Sequence, residues 1–152
     1  MNLLLWRHAD AEDGFPDSER KLTPRGQAQA RQLAEWINRN APKNLHILTS
    51  PAVRCQQTAA ALGRPFQTDP RLSAQGDVSQ LLTAAGWPDG GASRSVLIVA
   101  HQPVLGRTAA RVLAGIEADW TLKRGALWWL INRGRGAGSR TLLHAVIPPE
   151  AT

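Results

Sequence analysis

The sequence predicts an α/β fold, a three-layer α/β/α sandwich around a mostly parallel central sheet. Short apolar runs alternate with amphipathic segments, as strands alternate with helices in such folds. Cap residues or prolines open the helical segments and glycines close three of them. The run 95–100 (Ser-Val-Leu-Ile-Val-Ala) is β-branched and apolar throughout, as a strand covered on both faces should be.

In chain order, residues 3–6 (Leu-Leu-Leu-Trp) form the first strand, ending at Arg7-His8. A loop rich in Asp, Gly and Pro follows over 9–22. Thr23 then caps a helix with Pro24 in its first position, and Ala30, Leu33, Ala34 and Ile37 recur at helical spacing to give it an apolar face. Residues 45–48 are a second strand, and Ser50-Pro51 repeats the cap-then-proline start for a helix reaching about Leu62. Asp77 caps a short helix through Ala85, closed by Gly86. The run 95–100 leads into His101-Gln102-Pro103 and a helix to about Leu113, before Gly115. Residues 126–131 and 141–147 are two last strands joined by a glycine-rich turn at 133–138. With no repeat or linker in 152 residues, 1–152 is expected to be one domain.

Composition narrows the functions. The single cysteine, Cys55, precludes an internal disulfide and a cysteine zinc site and suits a reducing compartment. The N-terminal apolar run is too short for a signal or spanning helix, so a soluble, cytoplasmic protein is expected, with no membrane partner. Net charge is +6 with a pI of about 11.0. The arginines are scattered, and the one tract resembling a nucleic-acid binder, Arg133-Gly134-Arg135-Gly136, reads better as a turn. Nucleic acid is therefore not expected as the main partner; the excess charge suits an anionic substrate or an acidic protein.

Sites in such sheets form at the carboxyl ends of strands. Arg7 and His8 end the first strand, Arg54 lies in the first turns of the helix after the second, and His101 follows the run 95–100. Two histidines and two arginines converging on one sheet edge suit a dianion, since a guanidinium grips phosphate oxygens through a planar fork. The starts of the helices at Pro51 and Pro103 would add N–H donors. His46 and His144 lie at a strand start and within a strand and read as structural, Trp36 as core, and Trp120, Trp128 and Trp129 as packing of the last strands. Cys55 reads as a small buried residue.

Arg7-His8, Ser50-Pro51-x-x-Arg54-x-x-x-Thr58 and the strand-terminal His101 resemble the histidine phosphatase (phosphoglycerate mutase-like) superfamily. Asp17-Ser18-x-Arg20-x-Leu22-Thr23-x-x-Gly26, Gly76-Asp77-Val78 and His101-x-Pro103-x-x-Gly106 are similar to its SixA-type phosphohistidine phosphatases. The likeness spans roughly residues 2–113; the tryptophan-rich end matches no motif.

The resemblance implies that His8 is the nucleophile, neutral at its attacking nitrogen, and that Arg7, Arg54 and His101 hold the phosphoryl oxygens without metal or cofactor. Where the family has glycine after Arg-His, this chain has Ala9, which a positive φ would strain. Where the broader superfamily carries a general acid, this chain reads Asp69-Pro70-Arg71-Leu72-Ser73. Asp77 is the next acidic candidate, read first as a helix cap, and Asp10, Glu12 and Asp13 lie in the loop after His8. A missing acid suits phosphohistidine, whose imidazole leaves more easily than an alkoxide. The expected function is removal of phosphate from phosphohistidine on a protein. The alternatives are a phosphomonoesterase acting on a small phosphate ester, and a non-enzymatic phosphate- or nucleic-acid-binding module.

Overall fold

The computed structural model describes residues 1–88, 94–134 and 140–151. Its order is β1 (Asn2–Arg7), α1 (Pro24–Asn40), β2 (His46–Thr49), α2 (Val53–Ala60), β3 (Gln67–Thr68), α3 (Val78–Ala85), β4 (Ser95–Ala100), α4 (Val104–Ala114), β5 (Leu127–Arg133) and β6 (Arg140–Ile147). The strands form one six-stranded sheet in the order β3-β2-β4-β1-β5-β6. β1 and β2 each pair parallel with β4, and β3 pairs parallel with β2. β5 and β6 join antiparallel at the other side. The mostly parallel α/β fold is as the sequence predicts.

Alternation along the central strands makes two cores. Leu3 and Leu5 of β1 and Val96 and Ile98 of β4 pack with Val78 and Leu81 of α3 and Leu105 and Ala109 of α4. Leu4, Trp6, Leu97 and Val99 point the other way, against Leu33 and Ile37 of α1 and Cys55 and Ala59 of α2. Burial on both faces explains why these strands read as continuous apolar runs. On β5 the same alternation sends Trp128 to the first core and Trp129 to the second, where Trp36 meets it edge-on at 6.4 Å between ring centroids.

Local signals set most helix ends. Thr23 accepts a hydrogen bond from Gly26 N, and Asp77 and Gln80 make a reciprocal capping box. Gly86 and Gly115 close their helices in the left-handed region. The expected cap-then-proline start at Ser50-Pro51 is corrected: α2 begins at Val53, capped by Ala52 without a side-chain bond. Ser50 Oγ bonds His101 instead, besides accepting from Ala52 N. α4 likewise begins at Val104, with Pro103 as its cap. The two-residue strand β3 is exposed and too short to show a pattern. Part of the glycine-rich turn expected at 133–138 lies outside the described residues.

Candidate active site

The carboxyl ends of β2, β4 and β1 are neighbours in the sheet, so Ser50, His101 and Arg7-His8 open onto one edge. Arg54, in the first turn of α2, reaches the same place. A cleft of about 710 Å³ is lined by Arg7, His8, Arg54 and His101, together with Arg20, Arg124 and several carboxylates. His8, Arg54 and His101 are buried, at 8%, 3% and 2% exposure.

Arg54 lies at the centre. Its Nε donates to His8 Nε2 (3.3 Å) and its Nη2 to His101 Nδ1 (3.1 Å). Nη2 also donates to Asp17 Oδ2 (3.0 Å) and Nη1 to the Asp17 carbonyl (2.7 Å). A guanidinium only donates, so both histidine nitrogens facing it carry lone pairs. His8 Nδ1 then bears the proton and donates to the Ala9 carbonyl at 2.8 Å. His101 Nε2 donates to Ser50 Oγ at 2.8 Å. Each tautomer is fixed by its second bond.

Electrostatics reinforce this state. Burial, then the charges of Arg54, Arg7 and Arg20, lowers the His8 pKa to about 4 against the opposing pull of the Ala9 carbonyl. Burial, then Arg54 and His8, lowers His101 to about 3, with Asp17 opposing. Burial and the Arg124 charge also lower the pKa of Arg7. Arg7 Nη1 donates to the Leu122 carbonyl at 2.8 Å, while its buried Nε has no hydrogen-bond partner among the described residues. Burial pushes the Cys55 thiol up to about 12, leaving it a thiol at neutral pH.

The carboxylates divide by position. Asp77 caps α3 and does not line the cleft, whereas Asp10, Glu12, Asp13 and Asp17 do. Asp10 is bonded by Thr23 Oγ1 (2.7 Å) and Arg124 (3.0 Å), first causes of a lowered pKa. Burial raises the Asp17 pKa, but the hydrogen bonds of Arg54 and Arg20 outweigh it and leave it below the ordinary range. Arg124 escaped sequence reasoning because it lies in the motif-free segment. Ser50 carried a readable motif position but was assigned to a cap. Thr58 accepts from Ala9 N at 3.1 Å and donates to the Arg54 carbonyl at 2.7 Å, tying the two motifs together.

Ala9 is accommodated. Among the described residues no non-glycine has positive φ, and its fully buried methyl group packs with Leu22 and Ala30. Close approach demands glycine instead at Gly26, Gly76 and Gly106, where a Cβ would collide with the carbonyls of Asp10, Arg71 and Trp120. His46 and His144 are exposed away from the cleft, His144 resting on Trp129.

A mostly parallel sheet with a cleft at three adjacent strand ends, where four arginines and two histidines meet four carboxylates, defines the class, an α/β protein with its candidate site at the strand ends. The model of the histidine phosphatase superfamily (branch 1) matches residues 3–77. The phosphohistidine phosphatase SixA of Escherichia coli (strain K12) is 31% identical over 128 residues, 76% of each chain. A solved structure of the protein histidine phosphatase SixA complexed with tungstate superposes with a TM-score of 0.78 at 26% identity, covering 98% of this chain and 97% of that one. A phosphoserine phosphatase from Entamoeba histolytica shares the fold at a TM-score of 0.71 and 17% identity, over 99% and 98% of the two chains. The chain belongs to the histidine phosphatase superfamily and is a hydrolase. No helix among the described residues is long and apolar enough to cross a membrane.

Proposed function

We propose that this enzyme removes phosphate from phosphohistidine on a protein, through a phosphoryl group carried on His8. The observation that supports it most is the His8 ring: its proton is held on Nδ1 by the Ala9 carbonyl, and its Nε2 lone pair faces the cleft beside Arg54. The phosphoryl group passes in line to Nε2 as the bond to the substrate's imidazole nitrogen breaks. Arg7, Arg54 and His101 hold the three outer oxygens. An arriving dianion draws the Arg54 donors from the two histidines and offers the buried Arg7 Nε an acceptor, relieving a cost of about 1–3 kcal/mol. It also favours a proton on His101 Nδ1, turning that nitrogen into a donor. Water then attacks phosphorus, releasing inorganic phosphate and the neutral His8 ring. Fixed guanidinium groups supply the charge stabilisation, so no metal or cofactor is required.

The leaving group follows from the carboxylates. A general acid needs a raised pKa, and the two carboxylates fixed at the cleft, Asp10 and Asp17, have theirs lowered. Neither suits expulsion of an alkoxide, whereas an imidazole already protonated on its far nitrogen leaves neutral. The likeness to SixA supports the same substrate. A small phosphate ester is the second reading. It is favoured by Glu12 and Asp13, which line the cleft and make no ion pair among the described residues.

Turnover of a phosphohistidine-bearing protein, para-nitrophenyl phosphate and a sugar phosphate, with EDTA present, separates the readings. Rapid loss of phosphohistidine with slow ester hydrolysis is expected. Fast ester hydrolysis that falls in Glu12→Gln or Asp13→Asn would transfer the function to small metabolites.

A further inference from the structure

A second cleft, of about 400 Å³, adjoins the first: Asp17 and Ala74 line both. Three segments form it, residues 16–18, 50–52 and 73–75. The two clefts differ in chemistry. Eight charged side chains line the first, from Arg7 to Arg124, whereas Asp17 is the only charged residue lining the second, and its carboxylate is already taken by Arg54 and Arg20. The rest is serine, proline, alanine and the amide of Gln75. Immediately before Pro16 stands Phe15, 98% exposed, in a stretch exposed from Glu12 to Glu19. A lone exposed apolar residue needs no explanation in general. Here it adjoins Pro16, which lines the second cleft, and stands two residues from Asp17, in the wall the two clefts share.

We infer that the second cleft and Phe15 form the docking surface for the polypeptide flanking the phosphorylated histidine of a protein substrate. The inference rests on the phosphohistidine reading above. In-line transfer places the leaving imidazole on the side of phosphorus opposite His8. His8 is buried, so the imidazole faces the mouth of the first cleft and its backbone must continue across the rim. Across Asp17 and Ala74 that rim gives onto hydroxyl and amide groups, which match the alternating donors and acceptors of an uncharged main chain. A small phosphate ester is accommodated within the first cleft alone and has no use for the second. Phe15 supplies the apolar anchor that such interfaces concentrate in aromatic residues, and its counterpart on the partner is an apolar side chain close to the phosphohistidine.

The test compares two substrates with the same leaving group: free phosphohistidine, and a histidine phosphotransfer domain phosphorylated on its histidine. Phe15→Ala removes the anchor and Gln75→Trp fills the groove; both positions are exposed, so the fold is kept. For each variant kcat/KM on the phosphorylated domain is expected to fall about tenfold, mainly through KM, with less than about a twofold change on free phosphohistidine. Unchanged kinetics on both substrates would overturn the docking surface, as would an equal fall on both, which would mean a disturbed active site. Wild-type enzyme equally efficient on both substrates would also overturn it while leaving the phosphohistidine reading intact. Wild-type enzyme inactive on both but active on esters would instead overturn the reading on which it rests.

Discussion

β2, β4 and β1 deliver side chains to the site: Ser50, His101, and Arg7 with His8. The loop that leads into the antiparallel β5 meets the same site chiefly through its backbone. The Leu122 carbonyl takes Arg7 Nη1, Gly125 N donates to the His8 carbonyl, and the Ala126 carbonyl accepts from Arg7 N. The Gly125 carbonyl holds the Trp6 indole. Arg124 alone contributes a side chain, pairing with Asp10 across the cleft. On the mechanism proposed above, the parallel part supplies the reacting groups and the antiparallel part supplies their seat. Mutations in the first should affect chemistry, and mutations in the second should mainly affect binding or placement.

Arg54→Ala is the strongest test of that division. It removes a group that spans both histidines and Asp17, and kcat/KM should fall about a thousandfold, about 4 kcal/mol of transition-state stabilisation. Arg54→Lys should recover little, because one ammonium cannot reach those acceptors in a fixed fork. Steady-state kinetics on phosphohistidine decide it; a loss below tenfold would remove Arg54 from the chemistry.

The buried histidines predict an acid sensitivity confined to the same part of the sheet. Well above pH 6.5 both rings are neutral whether folded or unfolded and add no pH dependence. Between 6.5 and about 4 the unfolded chain binds protons that the folded rings refuse, so stability falls as the pH falls. The pair should cost a few kcal/mol by about pH 4. Urea unfolding at neutral and acid pH measures it, and His8→Asn should lessen the dependence. An identical slope in that variant would show that His8 is not held neutral.

Arg124→Ala should have the smallest effect. Its side chain is 61% exposed, and its pairing with Asp10 is worth at most about 1 kcal/mol. KM should rise less than about tenfold with kcat retained. A hundredfold loss of kcat would erase the contrast between the two parts of the molecule.

The same contrast explains what was legible in the sequence. The caps at Thr23 and Asp77 and the continuous apolar runs of β1 and β4 are local, so they could be read directly. The grouping of Arg7, His8, Arg54 and His101 was legible because three of them stand at strand ends and Arg54 in the first turn of the helix after β2. The role of Ser50 was not, because a serine before proline signals a cap with equal force, and only its 2.8 Å approach to His101 reveals the alternative. The loop at 122–126 acts through carbonyls and amides that any sequence carries. Gly26 and Gly106 stood out as motif positions, but their cause, a backbone carbonyl against each Cα, exists only in the assembled fold. Arg124 had neither a motif nor a strand end to mark it.

The central claim is that phosphate rests on His8 during turnover. Mixing the enzyme with a phosphohistidine protein, quenching in alkali, where phosphohistidine survives, and mapping the phosphate by mass spectrometry tests it directly. The account predicts a transient phosphoryl group on His8, assigned to Nε2 by phosphorus–nitrogen NMR, and neither phosphoenzyme nor turnover in His8→Ala. Turnover persisting in His8→Ala, or phosphate found on another residue, would contradict it.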